Sequence, residues 1–119
     1  MADLDLSLAS HMAYVNADLA VTSSELDIIA SVGSGHAVEI DSLVVSNVHA
    51  TDTDTVTVKR YIGATGTEIC KAIEISKGAS LVVVSKNNVQ RLNEGDKITI
   101  QGAAASGKLK ALANGRDYY

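Results

Sequence analysis

Apolar and polar residues alternate through most of the chain with a period of two, the spacing of a strand with one face in a core. Leu26, Ile28, Ala30 and Val32 alternate with Asp27, Ile29 and Ser31 before Gly33-Ser34-Gly35 ends the run. Val38, Ile40, Val44 and Val48 share one phase of a long strand, with Glu39, Asp41 and Asn47 on the other. Thr51-Asp52-Thr53-Asp54 reads as a polar turn. Val56, Val58 and Ile62 then alternate with Thr55, Thr57, Lys59 and Tyr61 up to Gly63-Ala64-Thr65-Gly66. Ile69, Ile73 and Ile75 follow, against Glu68, Cys70, Ala72 and Glu74. After a turn at Lys77-Gly78, Leu81-Val82-Val83-Val84 is a continuous apolar run that suits a strand buried on both faces. Asn93-Glu94-Gly95-Asp96 leads into Ile98 and Ile100, and a small-residue loop from Gly102 to Gly107 precedes a last strand around Leu109 to Leu112.

Turn signals every ~8–12 residues between such runs predict an all-β fold, a single β-sandwich of jelly-roll or Greek-key type. No segment from Ser24 to Leu112 carries a helical period of adequate length. The first 22 residues differ: Leu4, Leu6, Leu8 and Leu19 sit among Asp3, Asp5, Ser7, Asn16 and Asp18, without turn glycines, a pattern open to a first strand, a short helix or an extended arm, of which the arm is favoured. The expected organisation is an N-terminal arm over 1–22, a sandwich domain over 23–113 and a C-terminal tail over 114–119.

Composition sharpens this picture. A chain of 119 residues holds one domain, and 46% hydrophobic residues place it among globular proteins. Phe, Trp and Pro are missing, and Tyr14, Tyr61, Tyr118 and Tyr119 are the only aromatic side chains besides histidine. The core must be built from Val, Ile, Leu and Ala, so it is thin and the fold is expected to lean on neighbouring subunits. A net charge of −4 argues against nucleic acid, which needs clustered Lys and Arg. One cysteine, Cys70, permits neither an internal disulfide nor a cysteine-based zinc site and fits a reducing compartment. No apolar run reaches the ~20 residues of a membrane helix, and no signal peptide is expected from the first residues.

Candidate chemistry is sparse. Gly102 to Lys108 matches the phosphate-loop spacing GxxxxGK, but Leu109 stands where a Ser or Thr would hold magnesium, so no nucleotide is expected. Asp52 and Asp54 resemble part of a calcium loop, yet the central Gly and distal Glu are not at the required spacing. His11, His36 and His49 have no metal-ligand spacing. Ser34, His36 and Asp41 make a triad only on paper, because no GxSxG elbow is present. Cys70 reads as a packed small residue, its neighbour Lys71 pointing to the opposite face. No catalytic, cofactor-binding or metal-binding residue is therefore expected. The candidate functional residues are interface residues: Leu4, Leu6, Leu8, Tyr14, Tyr118 and Tyr119. Tyrosine is favoured at interfaces, and exposed leucines seek burial.

Two stretches carry a resemblance: Ile73-Glu74-Ile75-Ser76-Lys77-Gly78-Ala79-Ser80-Leu81-Val82-Val83 and Leu92-Asn93-Glu94-Gly95-Asp96-Lys97-Ile98-Thr99-Ile100. An apolar strand, a turn glycine, a second apolar strand and then LxxGDxIxI resembles small β-sandwich structural proteins of tailed bacteriophages. Capsid decoration (cement) proteins and neck or tail accessory proteins are among them. Val44-Val45-Ser46-Asn47-Val48 followed by Val56-Thr57-Val58 is similar to the same group. The resemblance, over roughly residues 26–112, implies a non-enzymatic virion structural protein, made in the host cytoplasm and placed on the capsid exterior. It implies a homo-oligomer, with a trimer favoured, and the major capsid protein as partner, with no nucleic acid, membrane or cofactor. The alternatives are a neck or tail accessory protein and a carbohydrate-binding β-sandwich, for which the tyrosines supply little stacking surface.

Overall fold

The computed structural model describes residues 11–103 and 108–119. They form nine strands: β1 (Met12–Val21), β2 (Leu26–Ile29), β3 (Ala37–Asn47), β4 (Asp54–Ile62), β5 (Thr65–Ile75), β6 (Ser80–Val84), β7 (Gln90–Leu92), β8 (Lys97–Gly102) and β9 (Leu109–Tyr118). Every pairing is antiparallel. The first sheet runs β1-β9-β3-β6, with β7 also on β3; the second runs β2-β8-β4-β5. The all-β sandwich expected from the alternation is present.

The strands fall where the β-branched runs stand, and the turns where the glycines do. Ile62 pairs with Thr65 across Gly63-Ala64, with Gly63 at φ 62° in the first turn position, where a two-residue hairpin needs positive φ. Between the sheets lies an aliphatic core that includes Ile40, Leu43, Val45, Val58, Ile98, Ile100 and Leu109, each fully buried.

Several strands depart from strict alternation, and β-bulges are the reason. Ile40 faces Gly115 and Ser42 faces Asn114, so Asp41 is an extra residue in β3. The phase flips there: Val38 and Ile40 point inward, but the next inward residues are Leu43, Val45 and Asn47. Val44 is consequently only half-buried and Val48 lies exposed beyond the strand, which corrects their expected place in the core. Ile28 is the extra residue of β2, which lets Ile28 and Ile29 both be buried. Val83 is the extra residue of β6. That strand is a sheet edge with Val82 exposed and Val84 buried, not a strand covered on both faces. In β5, Ala72 adopts φ 48° where the strand gains a residue against β4, and its N–H donates to Thr57 Oγ1 at 2.9 Å.

The first and last described strands both belong to the first sheet. Residues 12–21, expected within an arm, are β1 and pair along the whole of β9. Residues 114–118, expected within a tail, continue β9 between β1 and β3.

Candidate functional site

His11, just ahead of β1, and Tyr119, just after β9, close on each other through backbone and rings. The His11 N–H donates to the Tyr119 carbonyl at 2.8 Å and the Tyr119 N–H to that of His11 at 3.1 Å. The Tyr119 ring stacks on His11 at 5.2 Å and on His36 at 4.8 Å. His36 Nδ1 donates to the Asp117 carboxylate at 3.0 Å, since a carboxylate can only accept. A recess of about 240 Å³ opens beside this pair, lined by Ala30 to Gly33, His36, Val38 and Asp117. These interactions tie together the adjoining ends of β1, β3 and β9.

On the outer face of the first sheet, the strand register sets apolar residues side by side. Leu112 of β9 faces Val44 of β3, which faces Val82 of β6. Leu112 is 50% exposed and Val82 60%. Asp18 of β1 ends this row. The adjacent row is polar: Lys110 faces Ser46, and the Ser46 hydroxyl bonds that of Ser80 at 2.8 Å.

The outer face of the second sheet is charged and internally matched. Glu25 accepts from the Tyr61 hydroxyl at 2.6 Å and from Thr99 Oγ1 at 2.7 Å, with Lys59 at 3.9 Å. Those hydrogen bonds, Tyr61 first and Thr99 next, hold the Glu25 carboxyl below its ordinary range. Lys97 pairs with Asp27 at 3.3 Å and lies over the Tyr61 ring. Glu25, Asp27, Tyr61, Lys97 and Thr99, with Gly63 and Ala64, line a recess of about 380 Å³. At one end of the sandwich Arg60 donates to the Arg91 carbonyl and reaches buried Asp96 at 3.4 Å, which ties the turn before β8 to β4.

The residues singled out from the sequence are dispersed. Leu4, Leu6 and Leu8 lie outside the described residues. Tyr14 is 77% exposed on β1, opposite Arg116; Tyr118 is half-buried near the end of β9, opposite Met12 and Ala37; Tyr119 packs between two histidines. Ser34, His36 and Asp41 are not joined as a triad: His36 turns to Asp117, and Asp41 pairs with Arg116 at 3.1 Å. Asp52 and Asp54 also diverge. Asp52 binds Lys108 at 3.0 Å, an interaction that lowers its pKa, whereas buried Asp54 accepts the Thr55 and Ala103 N–H groups. Of the GxxxxGK loop, residues 104–107 lie outside the described residues. Cys70 is half-buried against the core, and burial pushes its thiol pKa up. Among the described residues no group of three His, Cys, Asp or Glu side chains could hold a metal ion. Sequence reasoning missed the Leu112–Val44–Val82 row, because three residues far apart in the chain meet only through register.

No protein-family model matches the chain, and no curated protein matches it in sequence. The chain is similar in structure to a solved protein of Bacillus endospore appendages, described as a novel family of disulfide-linked pili. The TM-score is 0.52 at 19% identity, over 91% of this chain and 86% of that one. At that identity the likeness is one of fold.

Proposed function

We propose that this chain is a non-enzymatic structural subunit that assembles with further copies of itself. The observation that carries the reading is the length of an outer strand. Among the described residues β1 has 10 residues, pairs on one side only and runs without a bulge, whereas the other long edge, β5, is broken by two register shifts. A strand of that length presents a row of backbone N–H and C=O groups that another chain can satisfy, and native proteins usually blunt such edges with proline or by shortening them. This chain has no proline at all.

The similarity to an appendage protein supports assembly as the use of this fold, with a difference in chemistry. A single half-buried Cys70 could join copies at most in pairs, so an array of more than two copies needs non-covalent contacts. With β1 built into the sheet, the arm of this proposal is the stretch ahead of it. Leu4, Leu6 and Leu8, together with Tyr14, Tyr118 and Tyr119, are its contact residues. The likeness to tailed-phage structural proteins extends the proposal to a virion, with the major capsid protein as partner and a trimer on the capsid exterior. A sugar-binding role finds less support, since Tyr61 lies between Gly66 and Lys97 and Tyr14 is the one largely exposed tyrosine, where sugar stacking uses broader aromatic platforms.

Native mass spectrometry of the full chain across a concentration series tests the reading. Discrete oligomers or filaments are expected, and a monomer at every concentration refutes it. Addition of emptied phage capsids then separates a virion protein, which co-sediments, from an appendage subunit, which does not.

A further inference from the structure

β1 turns only half of its backbone groups toward β9. His11 and Tyr119 exchange both N–H···O bonds, and the register runs on without a shift to Val21 opposite Leu109. Hydrogen-bonded and non-bonded pairs alternate along an antiparallel ladder. Ala13, Val15, Ala17, Leu19 and Val21 are therefore the residues that bond β9. Met12, Tyr14, Asn16, Asp18 and Ala20 aim their N–H and C=O groups at the open edge, where no described strand meets them.

The devices that blunt such an edge are missing. β1 contains no proline, Lys or Arg and no bulge, and its one charge is Asp18. The apolar layer between the sheets also runs out to this edge: Ala111 and Ala113 of β9 are fully buried, but Leu19 and Ala17 opposite them, and Val15, are only partly buried. The occupant that fits is β1 of a second copy. The five open residues are symmetric about Asn16, so an antiparallel copy centred there sets Asn16 against Asn16, Tyr14 against Asp18 and Met12 against Ala20. All five pairs can exchange both bonds, ~10 hydrogen bonds in all. A slip of one residue sets open groups against groups already bonded to β9, and a slip of two loses one of the five pairs. A further slip toward Val21 brings Asp18 against Asp18, a like-charge pair. In the centred register Asp18 instead meets Tyr14, which is 77% exposed and whose hydroxyl can donate to the carboxylate. On the inner face Val15 meets Ala17 and Leu19 meets Ala13, which carries the core layer from one copy into the next.

We infer that two copies join by antiparallel pairing of β1 with β1 centred on Asn16, an inference that rests on the self-assembly proposed above and names the edge and register that carry it. Full-length chains test it in two ways. Asn16→Pro removes an N–H at the open edge and none that bonds β9, a place where an edge strand accepts proline. It should keep the β circular dichroism signal and pair about tenfold or more weakly in native mass spectrometry. N16C and A20C, each combined with C70A, read the register by oxidation. The N16C thiols lie across one hydrogen-bonded pair, with Cα atoms about 5.5 Å apart, and should give a disulfide-linked dimer. The A20C thiols stand about 27 Å apart along the strands and should give none. Undiminished assembly of Asn16→Pro overturns the inference and leaves self-assembly standing. However that variant folds, an oligomeric N16C chain that does not cross-link, or equal cross-linking by A20C, does the same. A discrete trimer as the sole oligomer also does so, because a two-fold contact cannot close three copies. An unaltered chain that is monomeric at every concentration overturns both readings together.

Discussion

At the scale of single residues, the close approach of β3 and β9 depends on one missing side chain. A Cβ built on Gly115 would sit 2.0 Å from the Glu39 carbonyl oxygen, 2.9 Å from the Glu39 carbonyl carbon and 3.0 Å from Ile40 Cα. These are backbone atoms of the neighbouring strand, beside the Asp41 bulge, and they cannot rotate aside. Gly115→Ala must push two central strands apart, a distortion at the severe end of overpacking. The expected cost is roughly 3 kcal/mol or more, read as a lower urea midpoint with an unchanged slope. A midpoint like that of the unaltered protein would mean that the two strands are not packed this closely. Locally Asn114-Gly115 is a turn dipeptide, so nothing in the sequence marks Gly115 as a close approach of two strands. Asn47 is a second example: its side chain bonds the carbonyls of Asp52 and Ile75 and the N–H of His49. The alternation placed it on the solvent side; the bulge turned it inward, where its three hydrogen bonds compensate its burial.

At the scale of elements, protection should follow position in the sheet more than hydrophobicity. β9 is flanked by β1 and β3 over nearly its full length, whereas β5 has only β4 beside it. β5 also contains two register shifts and carries mostly exposed residues. Opening β5 breaks few buried contacts, so its amides are expected to exchange well ahead of those of β9 and β3. Hydrogen exchange followed by NMR measures this directly. Equal protection of β5 in dilute and concentrated samples would show that no copy pairs with its open edge, and slower exchange on concentration would locate a contact there. Strand existence was legible from Val56-Thr57-Val58 or Ile98-Thr99-Ile100, because local alternation encodes it. Phase beyond Asp41, Ile28 and Val83 was not, because an extra residue in one strand is defined only against its partner.

At the scale of the whole molecule, the first sheet joins the beginning of the chain to its end through β1 and β9, and most other neighbours are also distant in sequence. Such topology has to close long loops before contacts reward it, so folding is expected in about milliseconds to seconds. With no proline in the chain, stopped-flow refolding should show no phase of tens of seconds from prolyl isomerisation. A dominant phase that slow would point to assembly as the limiting step, and its rate would then rise with concentration. Fold class, the aliphatic character of the core and the positions of most strands are readable in the residue pattern, because alternation and turn glycines act over a few residues. That residues 12–21 and 114–118 belong to the sheet emerges from long-range pairing alone, since their partners lie about a hundred residues away in some pairings, as Met12 does from Tyr118. The same holds for the exposed row of Leu112, Val44 and Val82. Each looks like an ordinary core residue in its own strand, and strand register alone brings them together facing outward.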